Sequence, residues 1–215
     1  MRRVVLFTAL SFAMAACSSE PATPPIPEDP TDAASIVAAA RECHVADYDG
    51  VASADLGEPE FHGEPSQADR NQLESTLYLE AKAEETCVYA LPSGLLLRVL
   101  QASGDDMPSP TPGEMVTAHY EGSFPNGEVF DSSYERGAPI THSSTGFIPG
   151  WNEALSLMRI GEEWELFIPS NLAYGERGVG PIGPNMALMF RMELVCLPAR
   201  EEPSCADIMA ASDDS

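Results

Sequence analysis

Two stretches decide the fold of this chain: GEVFDSSYERG at Gly127–Gly137 and GFIPGWNEAL at Gly146–Leu155. A strand motif, VTAHYEG at Val116–Gly122, precedes them, and a glycine-rich segment, NLAYGERGVGPIGPNMALMF at Asn171–Phe190, follows them. Neither a Ser/His/Asp or Cys/His nucleophile set nor a phosphate-cradling glycine loop accompanies them. These residues therefore predict an apolar aromatic cup with one acid at its rim. The aromatic residues are Tyr120, Phe130, Trp151, Tyr174 and Phe190, and the acid is Asp131.

These motifs resemble those of the FKBP-type peptidyl-prolyl isomerases in order and in spacing. VTAHYEG is similar to the V-x-V-H-Y-x-G strand of that family, and VFDSS is similar to its F-D-S-S signature. IPGWNEAL resembles the V-I-x-G-W-x-x-x-L entry to its helix, and AYGERG resembles its A-Y-G-x-x-G loop. The resemblance covers residues 91–197, about half of the chain. Several separate motifs at the right spacing argue against chance agreement.

Hydrophobic periodicity predicts several strands and one short helix within this region. Apolar and polar residues alternate over 116–121, 163–168 and 188–194, which is the pattern of strands. Apolar residues at helical spacing begin at Trp151. One helix among four or more strands indicates an α+β domain with an antiparallel sheet. The resemblance implies that this sheet wraps around the helix.

Two short helices are predicted before the domain, over Asp32–His44 and Asp69–Glu85. Thr31 or Asp32 can cap the first helix, and its alanines favour helix. Leu73 and Leu77 give the second helix an apolar stripe. Related exported isomerases carry helices at this place, sometimes for dimerisation. Two alternatives stay open: a homodimer formed through these helices, or packing against the flank of the domain.

The N-terminus has the features of a secretory signal. Arg2 and Arg3 precede the apolar run Val4–Ala13, which is too short to span a bilayer. Small residues before Cys17 resemble a bacterial lipoprotein lipobox, and Ser18 differs from the aspartate that often retains lipoproteins in the inner membrane. We therefore expect lipidation of Cys17 and a location at the periplasmic face of the outer membrane. The alternative is ordinary signal cleavage and a soluble periplasmic protein.

Composition divides the chain into five predicted parts. Five prolines make the segment after Cys17 an extended linker, and the C-terminus is acidic. The parts are 1–16 signal peptide, 17–31 lipid-anchored linker, 32–90 helical segment, 91–198 isomerase-like domain and 199–215 acidic tail.

The net charge of −23 excludes one class of partner. Loss of Arg2 and Arg3 with the signal would make the mature chain two units more negative. Such a charge repels nucleic acid and anionic lipid surfaces. We therefore expect no nucleic-acid binding, and contact with a membrane only through a lipid anchor.

Four cysteines remain once Cys17 is acylated, and an even number in an exported protein suggests disulfides. Three connectivities are open, and the short spacing of one pair favours Cys196–Cys205 with Cys43–Cys87. A metal site is the rival interpretation, but the chain has no C-x-x-C motif. We expect neither a metal nor a cofactor. The histidines are scattered, at His44, His62, His119 and His142.

An apolar cup suits rotation about an Xaa-Pro amide. Rotation breaks amide resonance, at about 18–20 kcal/mol, and needs no new bond. The twisted amide is less polar than the planar one, so an apolar environment favours it. The resemblance places Trp151 as the floor beneath the proline ring, with Tyr120, Phe130 and Phe190 as walls.

The resemblance also assigns the polar contacts of the cup. Ile148 contributes a side chain and a backbone N–H to one substrate carbonyl, and the Tyr174 hydroxyl donates to another. Asp131 polarises the substrate amide from the rim, where Arg136 and Tyr120 fix its position.

Further positions complete the cup or depart from the family pattern. Ile182 is expected to line the loop side. Ile140 stands where a phenylalanine usually closes the cup, and Phe147 is bulkier than the common valine. His142 replaces another frequent aromatic residue, and Val179 occupies a position where a larger residue often stands. These departures bear on substrate choice and on macrolide affinity.

We therefore expect a peptidyl-prolyl cis-trans isomerase, a rotamase that acts on unfolded or partly folded proline-containing polypeptides of the cell envelope. A macrolide is the expected inhibitor. The alternative is a non-catalytic proline-peptide binding module or holdase chaperone.

Overall fold

The computed structural model of the protein describes residues 23–43, 64–200 and 204–206. The predicted signal peptide, Cys17, His44 and His62 lie outside these residues, as does most of the predicted acidic tail. Within the described part of the chain, seven strands form one antiparallel sheet in the order β1-β2-β6-β7-β3-β4, and β5 also pairs with β3. The strands are β1 Tyr89–Ala90, β2 Leu96–Gln101, β3 Met115–Ser123, β4 Val129–Ser132, β5 Ile140–Ser143, β6 Glu163–Ile168 and β7 Leu188–Cys196.

Three α-helices flank this sheet in the described residues, namely α1 Ala33–Glu42, α2 Gln67–Ala83 and α3 Pro149–Leu157. None of these helices is long and apolar enough to cross a membrane. The expected fold class, an antiparallel sheet around one short helix with helices before it, is confirmed.

The short helix α3 packs against one face of the sheet, which we call the cavity face. Ile148 is the N-cap residue of α3, and a proline occupies the first turn, where its missing N–H costs nothing. Trp151, Ala154 and Leu155 are buried at helical spacing. They join alternate residues of the central strands in the main core, including Leu97, Val99, Trp164, Leu166, Leu188 and Met192.

The opposite face of the sheet, which we call the α2 face, is covered by α2. A capping box between Ser66 and Asp69 starts this helix. The ring of Tyr78 packs edge-on against Phe167, with ring centroids 6.1 Å apart. Because α2 covers this face, β6 is buried on both sides instead of alternating. In this structure α2 thus packs against the flank of its own domain.

The predicted apolar stripe of α2 is wrong. Leu73 and Leu77 are only half-buried, whereas the buried residues are Asn71, Ser75, Tyr78 and Lys82. The reason lies in what the helix faces, since part of its surface meets backbone carbonyl and amide groups instead of an apolar core.

The first helix, α1, is tied to the same domain by covalent and ionic contacts. Its buried face packs into the main core. Arg41 forms an ion pair with the fully buried Glu162, with 2.6 Å between Nε and Oε1, and Glu162 also accepts from Trp164 Nε1 at 3.1 Å. A disulfide joins Cys43 to Cys87 at the end of α1.

Both predicted disulfides, Cys43–Cys87 and Cys196–Cys205, are present. The predicted linker and the predicted tail each contact the domain. The Tyr89 hydroxyl donates to the carbonyl of Pro25 at 2.8 Å, and Arg200 forms an ion pair with Glu114, with 2.7 Å between Nε and Oε1.

Candidate active site

A cavity of about 360 Å³ opens at the end of α3 on the cavity face. Nine of the eleven residues expected in the cup line it, and Gly146 joins them. The lining residues are Tyr120, Phe130, Asp131, Ile140, Gly146, Phe147, Ile148, Trp151, Tyr174 and Phe190.

Trp151 connects the aromatic residues of the cavity. Its ring lies 5.0 Å from Tyr120, 4.9 Å from Phe147 and 5.1 Å from Phe190, measured between centroids. The contacts with Tyr120 and Phe190 are edge-on, a favourable arrangement of ring quadrupoles. Because Trp151 is only 4% exposed and belongs to the main core, one residue both packs the domain and closes the cavity.

Gly122 makes room for two of the walls. It pairs with Phe190 across β3 and β7, and the rings of Phe130 and Phe190 meet edge-on at 5.7 Å. A Cβ at Gly122 would lie 2.6 Å from the Phe190 ring and 2.7 Å from the Phe130 ring, which is too close for any side chain. The glycine that ends the VTAHYEG motif therefore sets the spacing of these rings.

The polar rim of the cavity is built from three side chains. The Tyr120 hydroxyl donates to Oδ2 of Asp131, and Arg136 forms an ion pair with Oδ1 of the same carboxylate. Nη2 of Arg136 also donates to the Tyr120 hydroxyl at 2.8 Å. Burial and the neighbouring Asp131 raise the pKa of Tyr120, which keeps its hydroxyl protonated as a donor. Asp131 is 44% exposed, so it stands at the mouth of the cavity.

Three hydrogen-bond donors of cavity-lining residues have no partner among the described residues. They are the backbone N–H of Ile148, the hydroxyl of Tyr174 and the buried Nε1–H of Trp151. Burial and then the charge of Asp131 raise the pKa of Tyr174, so this hydroxyl also stays protonated at neutral pH. The Ile148 N–H and the Tyr174 hydroxyl are therefore free to donate to carbonyl groups of a ligand.

Asn152 holds the segment that carries the Ile148 donor, and sequence reasoning missed it. Its Oδ1 accepts from the Phe147 N–H at 3.1 Å, and its Nδ2 donates to the Phe147 carbonyl at 3.2 Å. An asparagine four residues after the helix cap is a weak signal on its own. Its partners become evident only when the loop is seen folded back over the first turn of α3.

Two expected cup residues lie outside the cavity wall. Arg136 acts on the rim through its contacts with Asp131 and Tyr120. Ile182 is buried in the main core, and its backbone forms a bridge with Val179 that closes the loop after Tyr174. In this structure Ile182 supports the loop without lining the cavity.

Other polar clusters near the site serve the fold. The buried hydroxyl of Ser133 accepts from the backbone N–H of Tyr120 at 2.7 Å and lies 3.0 Å from Nδ1 of His119. This pair anchors the strand that carries Tyr120. In the described part of the chain, no group of three or more histidine, cysteine or acidic side chains is arranged to hold a metal ion.

Comparison with known proteins places this cavity in a family context. The family profile described as FKBP-type peptidyl-prolyl cis-trans isomerase matches residues 107–195. The chain is 46% identical over 126 residues to the peptidyl-prolyl cis-trans isomerase Mip of Coxiella burnetii. The matched residues cover 58% of this chain and 54% of that protein. The chain thus spans about half the length of this relative.

A shorter relative is matched over most of its length. The FK506-binding protein 2 of Debaryomyces hansenii is 46% identical over 110 residues, which cover 49% of this chain and 82% of that protein. Among solved structures, the crystal structure of FkpA from Escherichia coli superposes with a TM-score of 0.58 and 36% identity, over 60% of each chain. The chain belongs to the family of FKBP-type peptidyl-prolyl cis-trans isomerases.

Proposed function

We propose that this protein is a peptidyl-prolyl cis-trans isomerase that accelerates rotation about Xaa-Pro bonds in unfolded or partly folded polypeptides. The observation that carries the proposal is the cavity itself, which has aromatic walls, the unpartnered donors of Ile148 and Tyr174, and a single carboxylate at its mouth. Uncatalysed rotation takes tens of seconds or longer at 25 °C, with a barrier of about 20 kcal/mol. A site that only favours the twisted amide is sufficient to accelerate it.

The mechanism follows from the placement of these groups. The proline ring lies over Trp151, and the walls exclude water from the amide. The Ile148 N–H and the Tyr174 hydroxyl hold carbonyls on either side of the rotating bond, which fixes the ends of the twist. The twisted amide loses charge separation, so the apolar walls stabilise it relative to the planar ground state. Asp131, oriented by Tyr120 and Arg136, polarises the amide from the rim.

A protease-coupled assay on short Xaa-Pro peptides tests this proposal. We expect the rate of cis-to-trans conversion to rise in proportion to the concentration of folded protein. A macrolide that occupies the cavity should abolish the acceleration, with an affinity altered by Ile140 and Phe147. Folded protein without any acceleration would contradict the proposal and leave a proline-peptide binding module or holdase in its place.

We further propose that the protein works in the cell envelope as a lipoprotein anchored through Cys17. The support is the apolar run that ends in small residues before Cys17, together with two disulfides, which persist in oxidising compartments. Cys17→Ser should release the protein from the membrane fraction or stall its processing. Native mature protein that is soluble and unacylated at Cys17 would contradict the anchor and support the soluble periplasmic alternative.

We also propose a homodimer formed through the two helices before the domain. Sedimentation of the chain over a range of concentrations tests this. A monomer at all accessible concentrations would contradict it.

A further inference from the structure

The helix α2 contacts the loop that joins the cavity to β7. The buried hydroxyl of Ser75 accepts from the Ala187 N–H at 2.7 Å and donates to the Asn185 carbonyl at 3.0 Å. One turn earlier, Nδ2 of Asn71 donates to the Pro184 carbonyl at 2.7 Å. Two polar side chains of α2 thus bind the loop backbone at three of the four residues from Pro184 to Ala187.

The loop that α2 holds is in turn hydrogen-bonded to the residue after Tyr174 in the cavity. The Asn185 N–H donates to the Gly175 carbonyl at 2.9 Å, and Gly175 directly follows the cavity residue Tyr174. Asn185 itself has a φ of +57°, a left-handed conformation that asparagine tolerates better than most residues. The path from α2 to Tyr174 therefore consists of Ser75, the strained Asn185 and one backbone hydrogen bond.

Close packing holds the same loop at a second point. A Cβ on Gly183 would lie 2.6 Å from Nδ2 of Asn71, so the helix and the loop backbone approach as closely as glycine permits. Oδ1 of Asn71 accepts from Nε2 of Gln67 at 2.7 Å, which fixes the amide so that its donor faces Pro184.

The two halves of α2 bury different kinds of residue, which indicates that the polar contacts are specific. Its C-terminal half presents Tyr78 and Lys82 to the sheet, where Lys82 lies over the ring of Phe167. Its N-terminal half buries Asn71 and Ser75 instead of apolar residues. Buried polar groups add little to stability compared with apolar packing, but they specify one geometry.

We infer that Asn71 and Ser75 are positioning residues for Tyr174, which they hold in place through the loop from Gly175 to Ala187. The inference rests on the proposed function, because the Tyr174 hydroxyl is taken as a donor to substrate. We call the hydrogen bonds from Asn71 and Ser75 to this loop the brace. Both residues lie outside residues 107–195, so the segment matched to the family does not contain the brace.

Ser75→Ala and Asn71→Asp test the inference in the full chain. Asn71→Asp keeps the side-chain volume and the acceptor for Gln67 but removes the donor to Pro184. We expect each change to lower kcat/KM for Xaa-Pro peptides about 3- to 10-fold, because small displacements of a positioning group are costly. Thr76→Ala is the matched control, since Thr76 is exposed on α2 and its hydroxyl donates only within the helix, to Gln72. It should stay within about twofold of wild type.

A double-mutant cycle separates positioning from general loosening. If Ser75 acts through Tyr174, Ser75→Ala should change kcat/KM by less than about twofold in a Tyr174→Phe background. Equal effects of Ser75→Ala with and without the Tyr174 hydroxyl would overturn the inference. Thermal denaturation of each variant shows that the comparison is made on folded protein.

Hydrogen exchange gives a readout that does not depend on activity. In Ser75→Ala the amides of Asn185 and Ala187 should exchange at least about tenfold faster than in Thr76→Ala, while amides of β3 stay unchanged. Unchanged exchange at both amides would overturn the brace even if wild-type protein is an active isomerase. Faster exchange with no isomerase activity in wild type would instead retain the brace and contradict the proposed function.

Discussion

On the cavity face of the sheet, the Ile148 N–H and the Tyr174 hydroxyl lack partners in the described part of the chain, and Asp131 stands at a half-open rim. Under α2, on the opposite face, charged groups are paired with each other. Arg98 forms ion pairs with Glu85 and, at 3.4 Å between Nε and Oε2, with the buried Glu165. The two faces share the same strands, yet one presents unpartnered donors to an open cavity and the other pairs its charges with each other.

The difference indicates that the face under α2 contributes mainly to stability and that the cavity face contributes mainly to ligand binding. A paired polar group under α2 helps to fix a single arrangement of the helix on the sheet. An unpaired donor in the cavity contributes nothing to folding, but it is ready for a ligand without reorganisation. Changes of the paired charges under α2 should therefore affect unfolding far more than turnover, and changes at the rim should do the reverse.

The largest effect is expected from Arg98→Met. It removes the cation that Glu85 and Glu165 both contact, and losing one partner of a buried ion pair costs about 3–5 kcal/mol of unfolding free energy. Chemical denaturation measures this loss, while kcat/KM below the melting temperature should stay within about twofold. Adding Glu165→Met should recover part of the stability, because an apolar pair can replace an ionic one. Lower turnover with unchanged stability would reverse the assignment of the two faces.

A somewhat smaller loss is expected when α1 is detached from Cys87. Replacing Cys43 and Cys87 by serine opens a crosslink across 44 residues and should lower stability by about 2–4 kcal/mol. The matched control replaces Cys196 and Cys205, which are separated by only 9 residues, so less loop-closure entropy is lost. Peptide mapping of exported wild-type protein should find none of the four as free thiols. Free thiols on folded protein would contradict both bonds.

Changes at the rim and in the wall of the cavity should lower activity, and the rim change should have little effect on folding. Asp131→Leu and Phe130→Ala are each expected to lower kcat/KM about 10- to 100-fold. For Asp131→Leu the melting temperature should change little, because this carboxylate is 44% exposed. Glu128→Leu is the matched control, since Glu128 is an exposed acid just before β4. Wild-type turnover by both folded variants would remove these residues from the site.

The smallest effect concerns stability in acid, away from both faces. Hydrogen bonds from Arg200, and further ones from Thr111, lower the pKa of Glu114 to about 2. Since the folded pKa lies below the ordinary 4.5, the contribution is present above pH 4.5 and is lost as pH falls toward 2. Glu114→Gln should therefore cost about 1–2 kcal/mol at pH 7 and almost nothing near pH 2. Denaturation curves at both pH values check this, and a deficit that persists in acid would contradict the linkage.

Much of the cavity was predictable because its residues lie in compact local motifs. The spacing from Phe130 to Asp131 and from Ile148 to Trp151 places each group within a single turn or strand end. The two disulfides were also predictable, one from short spacing and the other by elimination. Asn152 and Gly146 were missed because neither residue type signals a role until the loop folds over α3.

The sequence by itself determined the alternating strands, the short amphipathic helix and the aromatic set, because hydrophobic period and local spacing act over a few residues. Only the tertiary structure decided which face of α2 is buried, and it buried Asn71 and Ser75 where Leu73 and Leu77 had been expected. It also decided that Arg41 pairs with Glu162, 121 residues away. Polar partners of this kind are chosen by which groups the finished fold leaves facing one another, and no local pattern in the chain carries that information.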